Sequence, residues 1–393
     1  MAKVLTINSG SSSLKFKLYE MPEEKVLCSG NCEKIKLEKG IFTIKYGDKK
    51  EVSEPAFPDH QVAAQKVVDE LLAKKIISSY DEIKAVGHRI VQGGAYFDKT
   101  VEADEDAVAK IQELATLAPL HNAAAITGIN AAKEVIPDAM QTVTFDTAFH
   151  QTMEPENYMY AVPYEWYTEY KVRKYGAHGT SHKYIASRLN ALLGKTNTKL
   201  ITCHIGSGAS ISAIEDGRCV DTSMGLTPNA GLMMGTRCGD ADTSIVTYIM
   251  GKTGMTPKEM DTILNKKSGL LGISGVSGDS RDIEEGIIKG DDRCLLAQKM
   301  YVRRIINYIA MYYFELGGVD AIAFSAGVGE NSIRTRQDIL EGLEVLGIVP
   351  DYEANNTRGE EILITTPESK VPIYVIPTDE EVMIARDSYN LCK

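Results

Sequence analysis

A strand–turn–strand pattern occurs twice in this chain, and the repeat narrows the fold more than any other feature of the sequence. The first copy, Val4 to Tyr19, reads VLTINSGSSSLKFKLY. An apolar run of Val4, Leu5 and Ile7 meets the small residues Ser9 to Ser13. An alternating run of Leu14, Phe16 and Leu18 follows, with the period of a half-buried strand. This pattern spells a β-hairpin with a hydroxyl-rich tip. Gly10 lacks the Cβ that would hold a ligand off the backbone, the serines offer donors suited to phosphate oxygens, and Lys15 adds a positive charge just past the turn. Taken alone, the stretch also reads as an ordinary tight hairpin. The second copy, Leu200 to Glu215, reads LITCHIGSGASISAIE and passes through Gly206, Ser207, Gly208, Ala209 and Ser210 into the alternating Ile211 and Ala213. Two such hairpins half a chain apart indicate a duplicated domain.

A nucleotide held between two like domains is the economical inference. By pattern the repeat resembles the superfamily of actin, the sugar kinases and the heat-shock ATPase chaperones. The expected fold class is therefore α/β: two duplicated ribonuclease H-like (actin-like ATPase) domains with a cleft between them. A length of 393 residues exceeds one ordinary core and fits two. The formal charge of −11, with no Lys/Arg-rich block, argues against a nucleic-acid surface. Anionic ligands would need cations gathered locally in a cleft. Met1 to Ile7 shows no signal-peptide pattern, and no apolar stretch approaches the ~20 residues of a membrane span, so the expectation is a cytoplasmic protein without membrane contact. The seven cysteines form no CxxC pair, and their odd number suits a reducing compartment. Cys28 and Cys32 read as buried thiols rather than metal ligands.

The expected domains are 1–150, completed by a C-terminal helix 380–393, and 151–379. In the first, Val26 to Cys28 and Ile41 to Tyr46 read as strands, and Gln61 to Lys75 and Asp104 to Leu117 as amphipathic helices. Arg89 lies inside the apolar run AVGHRIVQGG, where its charge must be paired structurally or face a ligand. Pro119 opens a helix that continues to Val135, and Asp146 ends the strand Gln141 to Phe145, either as a ligand-facing group or as an N-cap or turn residue. Trp166, in an aromatic stretch, reads as packing at a domain boundary. In the second domain His178 sits between Gly176 and Gly179, with Thr180 as the cap of the next helix and the approach to its N-terminus suited to an anion. A hydrogen bond within the turn is the competing reading. The glycine-dense segment Asp221 to Asp242 carries the lone Arg237. Asp320 to Phe324 leads through Gly327, Val328, Gly329, Glu330 and Asn331 into a helix, either a nucleotide seat or a plain βα turn. Thr378 with Glu381 is expected to cap the last helix, whose Glu380 is placed to hold a hard cation.

The segments NSGSSSLK, GHRIV, LAPLHN, FDTAFH, YGAHGTSH, DTSMGLTP, GLMMGTR, NKKSGLLGISG, AGVGEN and PTDEE follow one another as in the acetate kinases, and the resemblance spans nearly the whole chain. It implies the reaction acetate + ATP ⇌ acetyl phosphate + ADP with Mg²⁺ (or Mn²⁺), carried out by a homodimer. It implies Asn8 and Glu380 at the metal, Lys15 near the nucleotide phosphates, and Arg89 at the substrate carboxylate. Val91, Leu120, His121, Ala177 and Pro228 would complete the acyl pocket. Asp146 matches the active-site acid, and His178 and Arg237 match groups that stabilise the transferring phosphoryl. His204, Ile205, Gly206, Ser207 and Gly208, then Asp279, Ser280 and Arg281, then Gly327 to Asn331, match the nucleotide loops.

The chemistry is consistent with those roles. Acetate is ionised at neutral pH and needs no general base. Its obstacle is repulsion by the phosphates, which fixed positive charge from Arg89, Arg237, His178 and the metal would offset. Asp146 is therefore expected to orient an arginine or a metal-bound water. Ala177 stands where the family usually carries phenylalanine, which predicts wider tolerance of propionate or butyrate. Ser207, Gln92, Ala123 and Cys238 replace a usual asparagine, histidine, proline and serine. A pyrophosphate-dependent kinase would share the catalytic residues, but Gly327 and Gly329 leave room for a nucleoside. A filament- or chaperone-type ATPase would have no use for Arg89 and an acyl pocket.

Overall fold

The computed structural model describes residues 2–393, the side chains of Pro119 and Leu120 excepted. The chain divides into two compact units, Met1–Gln151 with Asp379–Lys393, and Thr152–Thr378.

The first unit is built on one sheet of β1 (Ala2–Ser9), β2 (Ser13–Met21), β3 (Lys25–Glu33), β4 (Ile41–Tyr46), β5 (Lys49–Ser53), β6 (Ile83–Ile90), β7 (Val101–Glu102) and β8 (Met140–Phe145). Their order is β5-β4-β3-β2-β1-β6-β8-β7. Strands β1 to β5 form an antiparallel meander, whereas β6 runs parallel to both β1 and β8. In β2, Leu14, Phe16 and Leu18 point into the core, where they join Val67, Val68 and Leu71 of the helix His60–Ala73 and Ala131 and Ala132 of the helix Pro119–Val135. Strands β6 and β8 are buried nearly throughout, as parallel strands covered on both faces must be. Their second cover is the helix Glu380–Leu391, supplied by the end of the chain. Position 87 must be glycine for that helix to dock, because a Cβ there would lie 2.5 Å from Ser388 Oγ and 2.6 Å from Ile384 Cγ2. The hydroxyls of Thr142 and Ser388 meet at 2.6 Å in the same contact.

The second unit repeats the plan with β9 (Lys199–Ile205), β10 (Ala209–Glu215), β11 (Arg218–Thr222), β12 (Ala321–Ser325), β13 (Ile362–Leu363) and β14 (Ile373–Val375), ordered β11-β10-β9-β12-β14-β13. The pairs β9/β10 and β10/β11 are antiparallel, and β12 runs parallel to β9 and β14. Thus β3-β2-β1-β6-β8 and β11-β10-β9-β12-β14 share one strand order and one set of directions. The duplication expected from two hairpins is a duplication of whole sheets. Tyr301, Ile305 and Ile309 of the helix Asp292–Glu315 pack on Ile201, Cys203 and Phe324 in this unit's core.

A cap and a stop form where neighbouring residues spell them, while expectations that depend on remote partners fail. Thr256, Pro257 and Glu259 form the capping box of the helix Pro257–Lys266, and Gly194 ends the helix Gly179–Leu193 in the left-handed region. Elsewhere the structure corrects them. Thr180 lies inside that helix, and the residue at its N-cap is His178 itself, with φ of 60°. The last helix is capped by Asp379, whose carboxylate accepts from Val382 N at 3.1 Å, while the Thr378 hydroxyl pairs with Ser181. Residues Ala326–Asn331 are a helical turn rather than a loop. Trp166 is 46 % exposed on the short helix Tyr164–Tyr170 rather than packed away. Cys28 and Cys32 are buried free thiols. No helix among the described residues is long and apolar enough to cross a membrane.

Candidate active site

In the first unit the site gathers where three elements end. Arg89 is the penultimate residue of β6, Asp146 follows β8 directly, and Glu380 opens the last helix. Arg89 donates from Nε to Asp146 Oδ1 at 2.8 Å and from Nη2 to Asp146 Oδ2 at 2.7 Å, and Glu380 Oε2 lies 3.5 Å from Nε. Arg89 is thus ion-paired, and its Nη1 takes no protein partner among the described residues. The Asp146 carboxylate beside it holds the guanidinium firmly charged. Burial lifts the Glu380 carboxyl to about 7, with Arg89 pulling it down and Asp146 pushing it up.

Asn8, Lys15, Arg89 and Glu380 line one cavity of about 280 Å³. Asn8 and Lys15 are directly paired across β1 and β2. The donors suit Mg²⁺ or Mn²⁺: an amide oxygen and a carboxylate are hard ligands, and crowding among Asp146, Glu380 and Glu381 is the repulsion a divalent cation relieves. Lys17 shares the wall of this cavity and is held by Asp379 at 3.2 Å and Glu381 at 3.6 Å. Val91 is half-buried just past Arg89, and His121 is exposed. The expectation for the Leu120 side chain falls outside the described residues.

In the second unit the β9–β10 hairpin brings its glycine tip against two cationic or titratable side chains. A Cβ on Gly208 would lie 3.3 Å from Arg237 Nη1 and 3.6 Å from His178 Nε2, so both groups close on the tip. His178 is held at its left-handed position by Ser210, whose Oγ is 2.9 Å from Nδ1, and its ring stacks on His204 at 4.1 Å between centroids. A non-glycine residue held there is strained, a feature that collects at functional sites. Arg237 is half-buried. Its Nη1 donates to Pro228 O at 3.1 Å, and among the described residues it has no carboxylate partner. Burial draws its pKa down. An uncompensated, partly desolvated guanidinium is costly unless an anion completes it.

Gly206, Ser207, Gly208 and Arg237 form one end of a cavity of about 680 Å³. Asp279, Ser280, Arg281, Gly327, Val328 and Asn331 form other parts of its wall. His204, Ile205 and Gly329 are not among its lining residues. Glu330 is turned away: its Oε1 accepts from Ala326 N at 2.7 Å and Thr378 N at 3.0 Å, which makes it a clamp for the strand-to-helix turn. Arg281 is drawn back by Asp279 through bonds of 3.0 and 2.6 Å. Ala177 is buried in the unit's apolar core and Pro228 is half-buried. Sequence reading missed Glu284 and Arg358, which also line the cavity. Glu284 follows Arg281 by three residues in the helix Ser280–Ile288, so its shared face was legible. Arg358 comes from a remote loop with no local signal.

Two units of one topology, each bringing a β-hairpin to a cation-bearing cavity, define a duplicated α/β protein of the phosphate-handling kind. The chain belongs to the acetokinase family, whose model matches residues 3–386. It is 50% identical over 393 residues to the acetate kinase of Geobacillus kaustophilus (strain HTA426), covering 100% of this chain and 99% of that one. It is 49% identical over 395 residues to the acetate kinase of Bacillus subtilis (strain 168), with 100% of both chains covered. Among solved structures, Porphyromonas gingivalis acetate kinase superposes with a TM-score of 0.96 at 45% identity over 100% of both chains. A propionate kinase from Francisella tularensis subsp. tularensis SCHU S4 gives 0.92 at 39% identity, covering 99% of this chain and 100% of that one.

Proposed function

We propose that this chain is an acetate kinase, transferring the γ-phosphoryl group of ATP reversibly to acetate to give acetyl phosphate and ADP. A carboxylate oxygen attacks the γ-phosphorus, its bond to the β–γ bridging oxygen breaks, and ADP departs. No proton has to move, since the acid arrives ionised. The observation that carries the reading is Arg237, a guanidinium without a counter-ion beside His178 at the tip of a glycine hairpin. Such a pair is suited to charge spread over the oxygens of a phosphoryl in flight.

In this reading residues 1–150, completed by 380–393, serve the acid and residues 151–379 the nucleotide. Arg89 binds the acid's carboxylate, and Asp146 fixes the plane of Arg89 rather than abstracting a proton, as the bidentate pair supports. Asn8 and Glu380 would hold Mg²⁺ or Mn²⁺, whose contribution when bound is to offset charge on the phosphate oxygens. Lys15 adds a further charge for those phosphates. The glycines at 206, 208 and 327 let backbone approach the nucleotide. A cytoplasmic homodimer belongs to the same reading, and light scattering on purified protein tests the dimer.

Buried Ala177 favours a second reading, a kinase whose best acid is longer than acetate. One experiment separates the readings: trapping acyl phosphates as hydroxamates from formate, acetate, propionate and butyrate, with ATP or pyrophosphate as donor. Acetyl hydroxamate with ATP alone supports the first. A peak at propionate or butyrate supports the second, and pyrophosphate-driven product refutes both.

A further inference from the structure

Glu284 lies in the wall of the 680 Å³ cavity and is fixed by a relay of hydroxyls. Gln298 Nε2 donates to Asp338 Oδ2 at 3.0 Å and to Thr335 Oγ1 at 3.2 Å. The Thr335 and Ser332 hydroxyls meet at 2.8 Å, and the Ser332 hydroxyl donates to Glu284 Oε1. Ser332 has one proton, and only it can serve the carboxylate, so Thr335 is the donor in the middle link. Gln298 divides its two amide protons between Thr335 and Asp338, and from Thr335 onward each hydroxyl proton points toward Glu284. Its Oε2 takes no protein partner among the described residues and is an acceptor only. Tyr301 also lines the cavity, and its hydroxyl is buried without a hydrogen-bond partner. The free Oε2 of Glu284 is therefore a fixed acceptor in the cavity wall.

A carboxylate repels phosphate, so what meets Glu284 is the nucleoside end of the nucleotide. The Watson–Crick edge of adenine sets a donor beside an acceptor, and a carboxylate facing it gains one bond and one repulsion. The ribose 2′- and 3′-hydroxyls offer two donors on adjacent carbons, which a carboxylate can accept together. We propose that Glu284 reads the ribose diol of the nucleotide, and that this contact makes the enzyme select ribonucleotides over deoxyribonucleotides. The inference rests on the kinase reading above, but binding alone tests it.

Calorimetric titration of the wild-type protein with ADP, 2′-deoxy-ADP, 3′-deoxy-ADP and the 6-deamino analogue of ADP, without acid, is the test. A hydrogen bond to a charged group is worth about tenfold or more in affinity. Both deoxy forms should bind that much more weakly, and the 6-deamino form should bind like ADP. In Glu284→Ala the ribo- and deoxynucleotides should bind alike, and Glu284→Gln should fall between. With ATP as substrate, Glu284→Ala should raise nucleotide KM without a matching fall in kcat. Equal wild-type affinity for ADP and its deoxy forms overturns the proposal, as does a loss confined to the 6-deamino analogue. So does Glu284→Ala weakening every nucleotide by one factor. Discrimination by a protein that makes no acetyl phosphate would leave Glu284 standing and remove the kinase reading instead.

Discussion

Arg89 and Asp146 are joined by two parallel hydrogen bonds, 2.8 Å at Nε and 2.7 Å at Nη2, which fix the guanidinium in one plane. Replacing Asp146 with asparagine leaves one acceptor and sets an N–H donor against a cation. Arg89 should then tilt away from its acid-binding orientation. Acetate KM is expected to rise about tenfold or more, the scale of one charged hydrogen bond, with nucleotide KM little changed. An unaltered acetate KM would remove the positioning role.

Arg237→Ala should act on kcat instead. Losing one preorganised donor to a transition-state oxyanion costs about 10²- to 10³-fold in rate. Nucleotide affinity, measured by equilibrium titration, should stay within a few-fold. Wild-type kcat in this variant refutes its assignment.

Gly208→Ala probes the same niche from the backbone. The added methyl would stand 3.3 Å from Arg237 Nη1, close enough that the guanidinium must shift by a few tenths of an ångström. A displacement of that size costs rate, so kcat should fall while the melting temperature holds. Equal losses in both would mean that the hairpin is only structural.

The small side chain at 177 predicts the acid series. If Ala177 leaves acyl space, each added CH₂ should improve binding by up to about 0.8 kcal/mol until the space is full. Ala177→Phe should steepen the preference for acetate over butyrate in kcat/KM. The same ratio in both proteins rejects an acyl role for this position.

Acid stability should report on His88. Its ring is buried on β6 with Nε2 at 2.9 Å from Gln141 Oε1, and burial depresses its pKa from 6.5 to about 4. Between those values the folded chain keeps His88 neutral while the unfolded chain protonates it. The unfolded state then binds the additional proton, so stability rises with pH across the window and is lost as pH falls toward 4, by about 3 kcal/mol at most. Urea midpoints from pH 4 to 7 should follow this slope, and His88→Gln should flatten it.

Patterns confined to a few neighbouring residues were readable in the sequence, and partners supplied from afar were not. The period-two run Leu14, Phe16, Leu18 and its echo at Ile211 and Ala213 betrayed the two sheets, because alternation is written in adjacent residues. The Thr256 capping box was legible for the same reason. Glu330 sits in a glycine-rich stretch that reads as a ligand loop. Its carboxylate goes instead to an amide 48 residues away, at Thr378, which only the closed fold supplies. Asp379, rather than Thr378, caps the last helix: the Asp379 carboxylate accepts from Val382 N, and the Thr378 hydroxyl pairs with Ser181 within its own unit. Arg89 and Arg237 stood out by composition alone, but that one is paired and the other is not required coordinates.

The helix Glu380–Leu391 covers β6 and β8, yet it follows the whole second unit in the chain. A growing chain must therefore emit the second unit before the first unit's sheet can be covered on this face. Until then the bare face around Gly87 is a place where a nascent chain is exposed to aggregation and to chaperones.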